Sequence, residues 1–130
     1  MNPKKEPKVI GIGSVMFFAN DPKATREWYA KNLNMDVSDW GATFESRNID
    51  NPEKLESTQW CPTKNGSDYF SPSEKPFMIN YRVQNIEGLI EQLKSNGVTF
   101  TGELIDDEYG KFIHILDTDG NKIELWEPAE

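Results

Sequence analysis

The sequence predicts an α+β fold built from one unit used twice: a strand, a helix, then three further strands. Three observations carry that prediction. An apolar run rich in β-formers, Val9 to Ala19, ends at Asn20-Asp21-Pro22, and a second such run, Phe77 to Val83, ends at Asn85 before another amphipathic stretch. Laying Ala19 on Val83 puts Asp21 on Asn85, Glu27 on Glu91 and Asn32 on Asn96 at one constant offset. Few identities survive, so the order of elements carries the repeat rather than the letters. At 130 residues the chain has single-domain length, with the units spanning about 9–62 and 77–128 and a long connector between them.

Met1 to Lys8 holds charges and two prolines and no apolar run, the pattern of neither a signal peptide nor a membrane anchor. Asp21 can cap the first helix while Pro22 takes its first position, where a missing N–H costs nothing. Ala24, Trp28, Tyr29 and Leu33 then recur at helical spacing, giving an amphipathic helix of about three turns. Val37 to Arg47 reads as one or two short strands broken near Asp39-Trp40-Gly41, and Ser57 to Cys61 as another. Pro62 to Pro76 is dense in Pro, Gly, Ser and Asn and reads as the connector, with Tyr69 and Phe70 tucked inward and Asn65-Gly66-Ser67 as a turn. In the second unit Asn85 caps a helix through Leu89, Ile90 and Leu93 that stops at Asn96-Gly97. Val98 to Ile105, Lys111 to Leu116 and Asn121 to Trp126 follow as strands, the last two joined by Asp117-Thr118-Asp119-Gly120. Asp106-Asp107-Glu108 reads as a solvated loop.

Alternation gives the strands two unlike faces. Phe77, Ile79, Tyr81 and Val83 form one side of their strand and must be covered by a helix, whereas Met78, Asn80 and Arg82 form a thioether, amide and guanidinium side suited to a cleft. Ile123 and Leu125 alternate with Lys122, Glu124 and Trp126 in the same way.

Composition narrows the function. With 14 Lys and Arg against 22 Asp and Glu the formal charge is −8, which excludes a basic nucleic-acid-binding face. The single His114 and single Cys61 cannot build a structural zinc site or an internal disulfide, and a reducing cytoplasm is the expected compartment. Gly11-x-Gly13 has Met16 where a dinucleotide fingerprint needs its third glycine. Asp117-x-Asp119-x-Asn121 begins like a calcium loop, but Pro128 stands in place of the closing Glu, so a hairpin turn explains it better.

Ile12-Gly13-Ser14-Val15, Asn20-Asp21-Pro22, Trp28-Tyr29, Leu33 and above all Asp117-Thr118-Asp119-Gly120-Asn121-Lys122-Ile123-Glu124-Leu125 resemble the vicinal oxygen chelate superfamily, from about Val9 to Pro128. That group includes glyoxalase I, extradiol dioxygenases and the bleomycin and fosfomycin resistance proteins. The resemblance implies two βαβββ modules whose strands form a cupped mixed sheet with helices on the outer face and a small-molecule ligand inside, in a homodimer. In metal-using members it implies ligands at the positions of Ser14 and Met78 and on each module's last strand, here Glu124 and either Gln59 or Trp60. A hydroxyl and a thioether are poor ligands for hard or borderline divalent ions. No cofactor is therefore expected, with a divalent metal on Glu124 as the alternative.

His114 and Glu124 lie on hairpin-paired strands and are the candidate catalytic pair, the carboxylate orienting an imidazole that acts as general base. The competing reading of His114 is a core histidine with a structural partner. Ser14, Gln59, Asn80 and Arg82 are candidate polar ligand contacts, Arg82 either clamping an anion or pairing with an acidic neighbour. Met16, Met78 and Trp126 are candidate apolar lining, or packing between the modules. The leading expectation is a glyoxalase-like small-molecule-binding protein without a strong metal site, glyoxalase- or dioxygenase-like if it is an enzyme. The alternatives are a divalent-metal lyase or isomerase of glyoxalase I type and an antibiotic-sequestering protein.

Overall fold

The computed structural model describes residues 5–129; Met1 to Lys4 of the charged opening segment, and Glu130, lie outside the described residues. Asp21 accepts from the Ala24 N–H at 3.2 Å, and Asn85 from the Gly88 N–H at 3.2 Å, so each helix begins where the sequence placed its cap. The elements are β1 (Lys8–Ala19), α1 (Pro22–Leu33), β2 (Ala42–Arg47), β3 (Leu55–Lys64), a single 3-10 turn (Asp68–Phe70), β4 (Phe77–Gln84), α2 (Ile86–Ser95), β5 (Ile105–Asp107), β6 (Gly110–Leu116) and β7 (Lys122–Pro128). They form one seven-stranded mixed sheet in the order β2-β3-β1-β4-β7-β6-β5. Within each half the first strand runs parallel to the last, β1 with β3 and β4 with β7, and the halves join where β1 meets β4 antiparallel. The sheet does not close, and it presents the cupped α+β architecture that the sequence predicts.

The core occupies the outer face of the second half. Val83, Ile113, Ile115 and Leu125 from three strands pack under Ile86, Leu89 and Ile90 of α2. Burying each of these aliphatic side chains is worth roughly 1.5–3 kcal/mol. The first half is covered more thinly. Tyr29 of α1 meets Trp60 at 4.7 Å between ring centroids and Trp60 meets Phe17 at 5.6 Å, yet α1 buries no residue fully, and Trp28 and Leu33 are 56% and 58% exposed.

Three sequence expectations need correction. Of the one or two strands expected in Val37 to Arg47 there is one, because the chain at Ser38 folds back on Gly41, whose carbonyl accepts the Ser38 N–H at 2.7 Å, before extension begins at Ala42. The first module therefore holds a strand, a helix and two strands, not three. Val98 to Ile105 is not a strand; Phe100 makes only an isolated bridge to Ile115, and the ladder begins at Ile105. Consequently Asp106 and Asp107 belong to β5 rather than to a solvated loop. The hairpin turn is as expected: Asp117 Oδ1 accepts the N–H groups of Asp119 and Asn121, each at 2.9 Å, and Gly120 takes φ +78°.

Candidate functional site

Register settles which side chains share the inner face, because residues paired across neighbouring strands point the same way. Ser14 of β1 pairs with Gln59 of β3 and with Asn80 of β4; Asn80 pairs with Glu124 of β7; Glu124 pairs with His114 of β6. Five of the sequence-nominated residues thus form one row across the cup. The open choice between Gln59 and Trp60 resolves to Gln59, while Trp60 sits on the opposite face against α1.

The centre of the row is the Glu124 carboxylate, on a residue only 5% exposed. Asn80 Nδ2 donates to Oε1 at 2.7 Å, and Oε2 lies 2.7 Å from His114 Nε2. A third donor comes from outside the sheet: the Tyr69 hydroxyl, on the 3-10 turn of the connector, also donates to Oε2. Burial alone pushes the Glu124 pKa up, but the hydrogen bonds from His114, Tyr69 and Asn80, with the charge of His114, outweigh it and hold the carboxyl below its ordinary range. Burial first, then the charge and hydrogen bond of Glu124, push the Tyr69 phenol well above its ordinary value, so it remains a donor. An ionised Glu124 accepts only, which places the proton of the shared bond on His114 Nε2 and leaves Nδ1 the nitrogen without a hydrogen bond among the described residues. Asn80 Oδ1 is buried without a partner and lies against Gly13, where a Cβ would come within 2.2 Å of it.

The remaining nominated residues have other surroundings. Ser14 Oγ lies 3.8 Å from Cys61 Sγ, and burial pushes the Cys61 thiol up, so this cysteine is a protonated, poorly nucleophilic neighbour. Gln59 is held by Thr43 Oγ1, which donates to it at 2.7 Å, and by Ser57. Met16 and Met78 pair across β1 and β4, with Met78 fully buried. Trp126 stacks on Phe112 and donates to the Tyr109 carbonyl at 2.8 Å. Arg82 is not free to clamp an anion. Its guanidinium crosses over Gly11 to β3, donates to the Ser57 carbonyl at 2.9 Å and the Ile12 carbonyl at 3.3 Å, and pairs with Glu56 at 2.9 Å, close as an ion pair but off the line of a straight hydrogen bond. Its acidic partner is therefore Glu56. A cleft of about 580 Å³ opens at this end of the sheet, lined by Arg82, Trp126 and Glu56 among others, and none of Ser14, Asn80, His114 or Glu124 lines it.

The metal positions implied by the family resemblance carry a hydroxyl, a thioether, an amide and one carboxylate, and that carboxylate already has three side-chain donors. Among the described residues no three His, Cys, Asp or Glu side chains stand close enough to hold an ion. This donor set does not fit a divalent metal. Sequence reasoning did not put Tyr69 in the site; its inward-tucked aromatic pair was the only available signal.

Comparison with known proteins agrees with the architecture. The chain is 26% identical over 121 residues to the Bacillus subtilis (strain 168) protein YetH, covering 89% of this chain and 97% of that one. Its fold is similar to a variant of Streptomyces coelicolor methylmalonyl-CoA epimerase in complex with 2-nitronate-propionyl-CoA, with TM-score 0.69, 13% identity and coverage of 95% and 100%. It is also similar to methylmalonyl-CoA epimerase from Mycobacterium tuberculosis, with TM-score 0.59, 20% identity and coverage of 94% and 90%. A family model matches residues 11–125, from the glycine beneath Arg82 to the leucine beside Glu124, and by that match the chain belongs to the Glyoxalase/Bleomycin resistance protein/Dioxygenase superfamily.

Proposed function

We propose that this protein binds a small organic molecule in the cup over Glu124, with His114 as the proton-transfer group, and that it does so without a bound metal. The observation that supports this reading is the buried carboxylate of Glu124, held ionised by three side-chain donors on the face turned away from the helices. Such a carboxylate fixes the orientation of the imidazole through Nε2 and leaves Nδ1 to accept a proton. The poor metal donor set removes the usual Lewis acid from the scheme and puts the chemistry on this pair. The reading includes a reducing cytoplasmic setting, in keeping with an unpaired Cys61, and a homodimer.

The test is ligand screening by thermal shift and calorimetry against small oxygenated compounds, run in parallel with and without chelator. A compound that stabilises the wild type is expected to lose at least about tenfold in affinity in both His114→Ala and Glu124→Gln, in line with the roughly 1.5–3 kcal/mol of a hydrogen bond to a charged group. Unchanged affinity in both variants removes the pair from the site. Binding that disappears with chelator and returns with nickel, zinc, iron or manganese replaces this reading with a metal-dependent lyase or isomerase. Turnover of the bound compound, against tight binding alone, separates an enzyme from a sequestering protein.

A further inference from the structure

The cup is already partly filled, and what fills it comes from the connector. Phe70 is 1% exposed and stacks on Phe18 of β1 at 4.6 Å between centroids, nearly parallel at 15°. Beside it, the Tyr69 ring stands edge-on to the His114 ring at 5.8 Å and 89°, with its hydroxyl on Glu124 Oε2. The two anchors differ in kind. Phe70 is a buried apolar plug, whereas Tyr69 is 44% exposed and reaches inward only with its phenol. The turn that carries them is short, a Ser67-capped 3-10 turn closed by Ser71 N–H to Asp68 O at 3.0 Å. The main tie from its tip to the sheet, apart from the phenol, is Lys122 Nζ donating to the Tyr69 carbonyl at 2.6 Å, with the ammonium 5.2 Å from the ring centroid.

We infer that Tyr69 is an internal ligand: its phenol occupies the subsite of the Glu124–His114 pair, and the molecule this subsite takes is a neutral phenol that displaces the Tyr69 side chain. The inference rests on the reading that the cup over Glu124 is the binding site, and names the ligand chemistry that the site selects. An ionised, acceptor-only carboxylate demands a donor, so an O–H satisfies Oε2 where a second carboxylate would be repelled. The His114 ring, perpendicular to that of Tyr69, and the Lys122 ammonium flank a flat ring, which favours an aromatic carrier for that O–H. Swinging Tyr69 out uncovers the carboxylate at the cost of its edge-on contact with Phe70, 6.3 Å between ring centroids, and its side chain is already 44% exposed. A tethered side chain competes at an effective concentration in the millimolar range or above, so the free ligand is expected to bind the wild type weakly and a variant without the tether more tightly.

The experiment uses phenol and 4-methylphenol as probes, with benzoate and toluene as controls, on the full chain and on Tyr69→Ala and Tyr69→Phe. Affinity is read by calorimetry and location by NMR shifts at Asn80, His114 and Glu124. The expected result is a rise of about tenfold or more for both phenols in Tyr69→Ala and a smaller rise in Tyr69→Phe, with neither benzoate nor toluene gaining. Glu124→Gln combined with Tyr69→Ala is expected to lose that gain. Equal affinity of phenol for wild type and both variants overturns the inference, as does benzoate binding as well as phenol. Tyr69→Phe serves if Tyr69→Ala does not fold, since it keeps the ring and removes only the donor. The two readings fail separately. A non-phenolic compound that binds through His114 and Glu124 while ignoring Tyr69 substitutions leaves the cup as the site and rejects the phenol. Phenols that gain affinity away from Asn80, His114 and Glu124 reject both.

Discussion

Arg82 links the two halves of the sheet, and removing it should cost more than any exposed ion pair. The side chains of Arg82 and Glu56 are 9% and 8% exposed, so both charges are out of water and each depends on the other. Replacing Arg82 by Met keeps the stem but leaves the Glu56 carboxylate buried without its guanidinium partner, and takes from the Ser57 carbonyl its guanidinium donor, while the Ile12 carbonyl keeps the Thr58 hydroxyl at 2.8 Å. Orphaning one member of a buried pair costs about 3–5 kcal/mol, where a surface pair is worth about 0–1 kcal/mol. The hydrogen bonds to the two carbonyls overlap with that figure and are not added to it. Removing both charges, Arg82→Met with Glu56→Met, ends the orphaning, so the double variant should be more stable than the sum of the single losses by about 1.5 kcal/mol or more. Urea unfolding of the wild type, both single variants and the double variant at neutral pH measures this, provided the m-values agree. A loss below about 1 kcal/mol in Arg82→Met, or additivity within about 0.5 kcal/mol, would show that the pair is solvated and that the linkage is not structural.

Two further outcomes follow from the site. The folded Glu124 titrates below the ordinary carboxyl range, so the stability it supplies is complete above its unfolded-state pKa and is lost as the pH falls through the lowered folded value. The stability difference between wild type and Glu124→Gln should therefore be larger at about pH 5.5 than at about pH 3.5, straddling the ordinary carboxyl value of about 4.3; an equal difference at both would contradict the shift. Gly13→Ala would place a methyl 2.2 Å from Asn80 Oδ1 and 2.9 Å from Trp126 Cε3, and Asn80 cannot yield without leaving Glu124. That substitution is expected to cost about 1–3 kcal/mol by thermal melting and to shift the NMR signals of Asn80 and Glu124, and a neutral melt would mean the strands separate freely there.

Alternation made the inner face of β4 readable, since Met78, Asn80 and Arg82 could not all be core. It also paired His114 with Glu124, because the tight turn at Asp117 to Gly120 fixes the register of its hairpin. The first half resisted for a physical reason. β3 carries Thr58, Gln59, Trp60 and Cys61, a stretch with no clear polar and apolar alternation, and only the ladder with β1 decides that Gln59 faces the cup. Val98 and Phe100 look like strand residues because they pack on the α2 core, but packing without a ladder does not make a strand. The helical spacing of Trp28 and Leu33 marked a helix correctly but gave no sign that this face would stay exposed. Tyr69 and the partners of Arg82 escaped for one common reason: Glu124 and Ser57, 55 and 25 residues distant, are contacts of tertiary structure that no local pattern encodes.

The unequal packing of the two halves bears on how a ligand gains entry. Glu124 sits between Ile123 and Leu125, whose side chains point to the opposite face and join the α2 core, while His114 is flanked in the same way by Ile113 and Ile115. The acid and the imidazole are thus mounted on the best-packed part of the molecule, and shifting the backbone under either would disturb a close-packed layer behind it. The third member of the network has no such backing. Tyr69 hangs from a connector turn that owes its position to Phe70, Lys122 and the hydrogen bond it makes to Glu124. Free energy for opening is lowest where buried apolar contact is least. Ligand entry should accordingly leave the sheet and the His114–Glu124 geometry unchanged and move the Tyr69 phenol, so hydrogen exchange in β6 and β7 should stay slow while the turn around Asp68–Phe70 exchanges faster as a phenol is added.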